Sequence, residues 1–369
     1  MNILLITTRL NLGGIGVYTL LLAKSLNQRG SKVIVASSGG LLAEGLKKEG
    51  IEHIKIPVDT SADIGLHTFI SYLKLSHIIN EHKIDIIHAQ TRVAQVIGNM
   101  LSRKHKLPLV TTCHGFFKRR WFRRKFPCWG EKVIAISDAV REHLVNDMKV
   151  AKDNIKLIYN GIDMKRYMKP YTDDDRLVIR KEYGLKDIKT IGIISRLTEA
   201  KGHKYLIGAF AKLLQNFSDI QLLIIGDGPN NYLKALKKQV HALGVEDKVI
   251  FHAACEDTSI PLSVIDIFCL PTLQEGLGLS ILEAMAAGIP VVASNVGGIY
   301  TLIKHKENGF LVPPADEDAL AEAISVILSD SSLSETMGKH SRNLAVENFT
   351  LEMMTDKVLG VYEEVKSEK

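Results

Sequence analysis

The 369-residue sequence predicts an α/β protein of two domains, each built as a β/α/β alternation around a mostly parallel sheet. Three observations carry that expectation. Short apolar runs of strand length alternate with longer stretches rich in helix formers through both halves of the chain. Several of the runs end in a loop bearing glycine or histidine, at the carboxyl end where open α/β sheets bind ligands. The length suits two domains, and Pro170 followed by Asp173-Asp174-Asp175 makes a polar break near the middle.

Composition narrows the class. Apolar residues make up 46% and charged residues 24%, ordinary values for a soluble globular protein. No apolar stretch approaches the roughly 18–20 residues that cross a bilayer. Met1 to Ile6 runs straight into a strand without a basic leader, so no signal peptide is expected and the protein is placed in the cytoplasm. Cys113, Cys128, Cys255 and Cys269 lie far apart without C-x-x-C spacing, which predicts free thiols and no zinc site. The net charge of +6 is unevenly distributed: the 45 residues between Asp85 and Glu131 contain ten Lys or Arg and no acid.

In the first half, Asn2 to Thr7 reads as a strand, Gly13, Gly14 and Gly16 as a loop, Val17 to Leu26 as a buried helix closed by Gly30, and Lys32 to Ala36 as the next strand. The glycines do not fit G-x-G-x-x-G, and the second strand ends in Ser37-Ser38-Gly39-Gly40 without an acid for a ribose, so a dinucleotide site is not expected. No P-loop pattern is present. The glycine loop is either a tight turn or a place where backbone approaches a ligand. Ile84 to Gln90 and Leu109 to Gly115 read as strands delivering His88 and His114 at their carboxyl ends; His88 is either structural or catalytic. From 118 to 125, Lys118, Arg119, Arg120, Arg123, Arg124 and Lys125 surround Trp121 and Phe122. Basic and aromatic residues together suit nucleic acid or an anionic membrane surface. A solvated loop would leave these aromatics, with Phe116, Phe117, Phe126 and Trp129, needlessly exposed. Glu131 to Val140 is a strand entering a helix, with Ser137 or Asp138 as its N-cap.

In the second half, Thr190 to Ile194 is a strand, Ser195 to Gly202 a loop and His203 to about Gln215 a helix. Gln221 to Ile225 is the next strand, ending in Gly226-Asp227-Gly228-Pro229, and Val249 to His252 another. Arg196 and Lys201 share the first of these loops, where two cations can turn towards one pyrophosphate. Ile265 to Cys269 reads as a buried strand. A loop with Glu275, Gly276 and Gly278 follows, then a helix that stops at Gly288. The start of that helix offers the amides of Gly278, Leu279 and Ser280 to phosphate. Glu275 and Glu283 can converge only if the first lies in the loop and the second on the helix's second turn. Asp316-Glu317-Asp318 starts a structural helix, and Met353, Met354, Val358, Leu359, Val361 and Tyr362 make a helical stripe.

The string from Glu275 to Glu283, continued by Ala-Met-Ala-Ala-Gly-Ile-Pro-Val-Val-Ala-Ser at 284–294 and Gly297-Gly298, resembles the E-x7-E signature of family 4 retaining glycosyltransferases. Arg196 and Lys201 resemble its R-x4-K pair, His114-Gly115 its strand-ending His-Gly, and Ile158 to Asp163 the close of its first domain. The resemblance covers nearly the whole chain and implies a GT-B fold: two Rossmann-like domains, 1–165 on the acceptor side and 166–350 on the donor side, facing across a cleft, with helix 351–369 crossing back to the first. It implies transfer of a sugar, with retention and without metal, from a nucleoside diphosphate donor, a UDP-sugar being expected, to a glycan or glycolipid hydroxyl of the cell envelope. In that reading Gly14, Arg196, Lys201, Gly278, Leu279, Ser280 and Glu283 bind the donor. Glu275 holds the sugar's hydroxyls, and His114 stabilises its developing positive charge. The segment Lys118 to Lys125 would dock at the inner face of the cell membrane, or hold the acceptor. A glycosidase would need a second free carboxyl, and Glu283 is committed to the ribose. The alternatives are a sugar-nucleotide epimerase of the same fold and a non-enzymatic nucleic-acid-binding protein.

Overall fold

The structure is a computed structural model that describes residues 1–59, 65–117 and 126–368. Lys118, Arg119, Arg120, Trp121, Phe122, Arg123, Arg124 and Lys125 lie outside the described residues. The chain divides into two compact units, Met1–Gly161 joined by the C-terminal segment from Leu351, and Ile162–Thr350. The division falls at 161/162 instead of the expected 165/166, because the short helix Met164–Tyr167 packs on the helix Leu279–Ala287 of the second unit.

The first unit holds seven parallel strands: β1 (Asn2–Ile6), β2 (Lys32–Ser37), β3 (Glu52–Lys55), β4 (Ile86–Ala89), β5 (Leu109–Cys113), β6 (Lys132–Ala135) and β7 (Ile155–Leu157), in the order β3-β2-β1-β4-β5-β6-β7. The order reverses between β1 and β4, which pair with Ile3 against Ile86 and Ile6 against Ala89. β1 is apolar throughout because both faces of the sheet are covered. Ile3 and Leu5 join the core beneath the helix Gly14–Gln28, while Leu4 and Ile6 pack on the opposite side with Leu75, Ile97 and Leu101.

The C-terminal helix Leu351–Ser367 completes the first of these cores, with Met354, Val358, Val361, Tyr362 and Val365 buried against Leu22 and Leu26. Lys132 and Lys156 bind Glu364 at 3.0 and 2.7 Å, and Lys366 binds Asp85 at 3.1 Å. This packing decides between the two readings of His88. It is fully buried, its Nδ1 is 2.6 Å from the Tyr362 hydroxyl and its Nε2 2.7 Å from Thr112 Oγ1. It is therefore a structural histidine, joining the sheet to the terminal helix.

The second unit repeats the architecture with six parallel strands: β8 (Lys189–Ile194), β9 (Ile220–Ile225), β10 (Val249–His252), β11 (Ile267–Leu270), β12 (Val291–Ser294) and β13 (Gly309–Val312), ordered β10-β9-β8-β11-β12-β13. Here the reversal lies between β8 and β11. In a doubly wound sheet the loops leaving the two strands at such a reversal diverge and open a crevice at their carboxyl ends. Among the described residues no helix is long and apolar enough to cross a membrane.

Candidate functional site

The loop after β8 carries Arg196 and Lys201, and the loop after β11 carries Glu275, so the order of the sheet alone brings these motifs to one edge. Backbone contacts then fix them together. Leu197 N donates to Asp227 O at 2.9 Å, and Leu273 N and Thr272 Oγ1 both donate to Ala200 O at 2.7 Å. Gly202 has φ 72°, and a Cβ there would lie 1.8 Å from Pro271 O. A side chain at 202 would drive the loops apart. Gly202→Ala is accordingly expected to destabilise the protein by at least about 2 kcal/mol, the left-handed penalty plus the clash; an unchanged thermal midpoint would show that the loops are not held this way.

Lys201 Nζ forms an ion pair with Glu275 Oε2, and both side chains are 17% exposed. The other oxygen of Glu275 accepts from Gly276 N at 3.1 Å, and its backbone carbonyl accepts from Gly298 N at 3.1 Å. Arg196 is exposed and has no hydrogen-bonding or ionic partner among the described residues. Beside them starts the helix Leu279–Ala287. Its N-cap is Gly278 at φ 103°, without a side-chain cap, and no acid lies in its first turn. The first amides of the helix therefore lack intrahelical acceptors and carry a partial positive charge. One free guanidinium, one paired ammonium and one bare helix N-terminus share this edge, a combination suited to a diphosphate.

Glu283 lies on the second turn of that helix and is 7% exposed. Burial raises its carboxyl to about 7, against hydrogen bonds from Thr258 and Tyr167 and the charge of Arg166, which pull the other way. Around it Arg166 Nε donates to Asp257 at 2.9 Å and its Nη2 to Glu256 O at 2.6 Å. The Tyr167 and Thr258 hydroxyls are 3.0 Å apart. Burial would raise Asp257 too, but hydrogen bonds from Ser259 and Arg166 outweigh it and hold this carboxyl below its usual range.

The two halves of the chain match separate family models, "Glycosyltransferase Family 4" over residues 12–166 and "Glycosyl transferases group 1" over residues 175–344. The chain belongs to the family 4 glycosyltransferases. It is 28% identical to N-acetyl-alpha-D-glucosaminyl L-malate synthase of Bacillus anthracis, over 98% of this chain and 96% of that one. It is 26% identical to UDP-Gal:alpha-D-GlcNAc-diphosphoundecaprenol alpha-1,3-galactosyltransferase of Escherichia coli, over 79% and 78%. Among solved structures, Alr3699/HepE of Anabaena in complex with UDP-glucose superposes with a TM-score of 0.87 at 25% identity, covering 99% of this chain and all of the other. The fold of this glycosyltransferase is thus GT-B, and the chain is an enzyme.

On the first unit of the glycosyltransferase, Gly14 begins the helix Gly14–Gln28 three residues before the start expected at Val17; its N-cap Gly13 has φ 146° and the first turn holds no acid. His114 follows β5 and is half-buried, with Nε2 2.8 Å from Gln90 Oε1 and the ring edge-on to Tyr18 at 4.7 Å. Burial lowers its pKa to about 3, so the imidazole is neutral at physiological pH. Three aromatics that a solvated loop would leave exposed beside the basic segment are not exposed. Trp129 is buried against Phe117 at 5.6 Å, and Phe116 sits edge-on to His143 at 5.4 Å; only Phe126 stands out among those described. Gln90, Tyr18, Arg166, Tyr167, Asp257 and Thr258 carry no motif in type or spacing and are visible only in the fold. Lys201 and Glu275 belong to one site in sequence and structure alike, but the ion pair between them appears only in the structure.

Proposed function

We propose that this glycosyltransferase moves a sugar, with retention, from a nucleoside diphosphate sugar to a hydroxyl of a lipid-linked or cell-envelope glycan, without a metal ion. The observation that carries the proposal is the Lys201–Glu275 pair at the sheet reversal, beside the bare start of the Leu279–Ala287 helix and Arg196, which has no partner among the described residues. As the bond from the anomeric carbon to the β-phosphate oxygen breaks, negative charge grows on the diphosphate. Arg196, Lys201 and the amides of Gly278, Leu279 and Ser280 would meet that charge, the task a metal performs elsewhere. Among the described residues no three His, Cys, Asp or Glu side chains gather as a metal site.

Both oxygens of Glu275 already accept hydrogen bonds, which makes it a weak nucleophile and a suitable acceptor for sugar hydroxyls held next to Lys201. Glu283 would take the two ribose hydroxyls, and His114, being neutral, would not repel positive charge on the sugar. Gly14 would bring backbone amide towards the donor. Two relatives support the donor and acceptor classes: the Escherichia coli enzyme is named for UDP-Gal and a diphosphoundecaprenol acceptor, and the Anabaena protein is bound to UDP-glucose. A UDP-sugar is therefore the proposed donor, and the proposed place of action is the membrane surface, with Lys118 to Lys125 contributing cations and Trp121 and Phe122 interfacial anchors.

The test is a calorimetric screen of UDP-, GDP- and ADP-sugars, followed by transfer to a glycolipid with the product's anomeric configuration read by NMR. One class of intact donor should bind at micromolar Kd, and the product should keep the donor's configuration. Binding by none of them, or donor turnover to an epimer without acceptor, would overturn the reading.

A further inference from the structure

The helix Leu66–Glu81 presents an apolar face to solvent. At about 100° per residue, its buried residues Thr68, Ser71, Leu75, Ile78 and Ile79 gather on one side, while Ser76 is buried on the flank nearer Phe69, where its hydroxyl meets His105 Nε2 at 2.7 Å. Diametrically opposite stand Leu66, Phe69, Ile70 and Leu73, at i, i+3, i+4 and i+7. They are 72, 51, 42 and 49% exposed. Single exposed apolar side chains are ordinary; four in one stripe, where a surface helix should be polar, are not. Leu41, in the loop after β2, is 61% exposed as well. The helix follows β3, so the stripe begins at the carboxyl edge of the sheet, the edge that carries Gly14 and His114.

Cations border the stripe on both sides. On one flank Lys74 Nζ reaches Lys55 O at 2.9 Å. On the other, Phe69 stacks at 6.1 Å on Tyr72, and Lys104 Nζ lies 5.4 Å from the centre of that ring. Lys104 belongs to the helix Arg92–His105, whose last turn also holds Arg103. The only acid on the striped helix is Glu81, its last residue, next to His77. An apolar ridge between lysines is complementary to an anionic bilayer: the apolar side chains enter the acyl boundary while the lysine stems lie along it with their ammonium groups among the headgroups. A second copy of the same face would set these lysines against one another.

We propose that Leu66, Phe69, Ile70 and Leu73, flanked by Lys74 and Lys104, seat this protein on an anionic lipid surface. The proposal needs no contribution from the segment at 118–125, and vesicle binding needs no sugar nucleotide. Failure here would therefore leave the transferase reading standing.

The experiment is co-sedimentation of the full chain with phosphatidylcholine vesicles with and without phosphatidylglycerol. Binding is expected only with the anionic lipid. Combined Phe69→Ser, Ile70→Ser and Leu73→Ser should lower the partition coefficient by about tenfold or more, since each removes a chain that enters the interface, while the thermal midpoint stays the same. Lys74→Glu with Lys104→Glu should weaken binding and reduce its sensitivity to salt. Should the triple variant fail to fold, Ile70→Trp replaces it, with a blue shift of emission on adding anionic vesicles as the expected result and no shift as the overturning one. Wild-type indifference to anionic vesicles would overturn the proposal. So would full binding by the triple variant where Trp121→Ser with Phe122→Ser abolishes it, or a dimer that the triple variant dissociates while vesicle binding persists.

Discussion

Lys201→Ala is expected to lower kcat/KM by about 10³, the upper range for removing one pre-placed donor from a developing oxyanion. Two effects act together. The diphosphate loses the ammonium that would meet its charge, and Glu275, mostly buried and paired with that ammonium, is left as an uncompensated carboxylate facing the same anion. Truncating one member of a partly buried pair costs more than the pair contributes, so donor affinity should fall as well as kcat. Arg196→Ala is the internal comparison. That side chain is exposed and without a partner among the described residues, so its removal orphans none of them, and about a tenfold loss is expected from one solvent-screened charge. Glu275→Gln in the Lys201→Ala background should recover part of the lost binding, because the repulsive charge is gone. Calorimetry with the intact donor and steady-state kinetics on all four proteins decide it. Equal donor affinity in wild type and Lys201→Ala would remove Lys201 from the donor site.

The order of these effects could not have been read from the sequence, although the residues could. Arg196 and Lys201, or Glu275 and Glu283, stand close enough together for spacing and glycine context to be visible. The strand order that makes β8 and β11 neighbours is not local, and it joins Lys201 to Glu275 across 74 residues. The surroundings of Glu283 were hidden for the same reason: Tyr167 and Thr258 come from separate segments, and a hydroxyl has no spacing rule. The strand β1 was legible because both of its faces are buried, which makes it one continuous apolar run. The helix from Leu66 was harder, since apolar residues lie on two opposite faces and only the packing of Leu75, Ile78 and Ile79 identifies the outward one. Phe116, Phe117 and Trp129 show the converse. A solvated loop would have left them exposed, whereas Trp129 O accepts from Thr111 Oγ1 at 2.8 Å, Phe117 packs on Trp129 and Phe116 on His143.

Glu283→Gln separates what burial does to this carboxyl from what a ribose would do. Its folded value of about 7 lies above the ordinary 4.5, so the folded protein holds the proton more tightly than the unfolded chain. The stability this gives is complete below pH 4.5 and is lost as pH rises through 7. Glutamine is permanently neutral, so the variant should match wild type near pH 5 and exceed it near pH 8, by at most about 3 kcal/mol. Thermal melts across that range read the difference. Ligand binding should run the opposite way, because two ribose hydroxyls donate best to an ionised carboxylate. Wild-type affinity for the intact donor should fall about tenfold per unit as pH drops below 7, and the variant should bind about 100-fold more weakly at pH 8, two charge-assisted hydrogen bonds having been replaced by neutral ones. An intact nucleotide sugar is the right probe, since a free terminal phosphate titrates near pH 6 and would mask the carboxyl. A variant that gains stability at pH 8 yet binds the donor as wild type does would make Glu283 a buried structural acid and move the ribose elsewhere. Loss of both would mean that the hydroxyls of Tyr167 and Thr258 need a carboxylate to hold the Met164–Tyr167 helix in place.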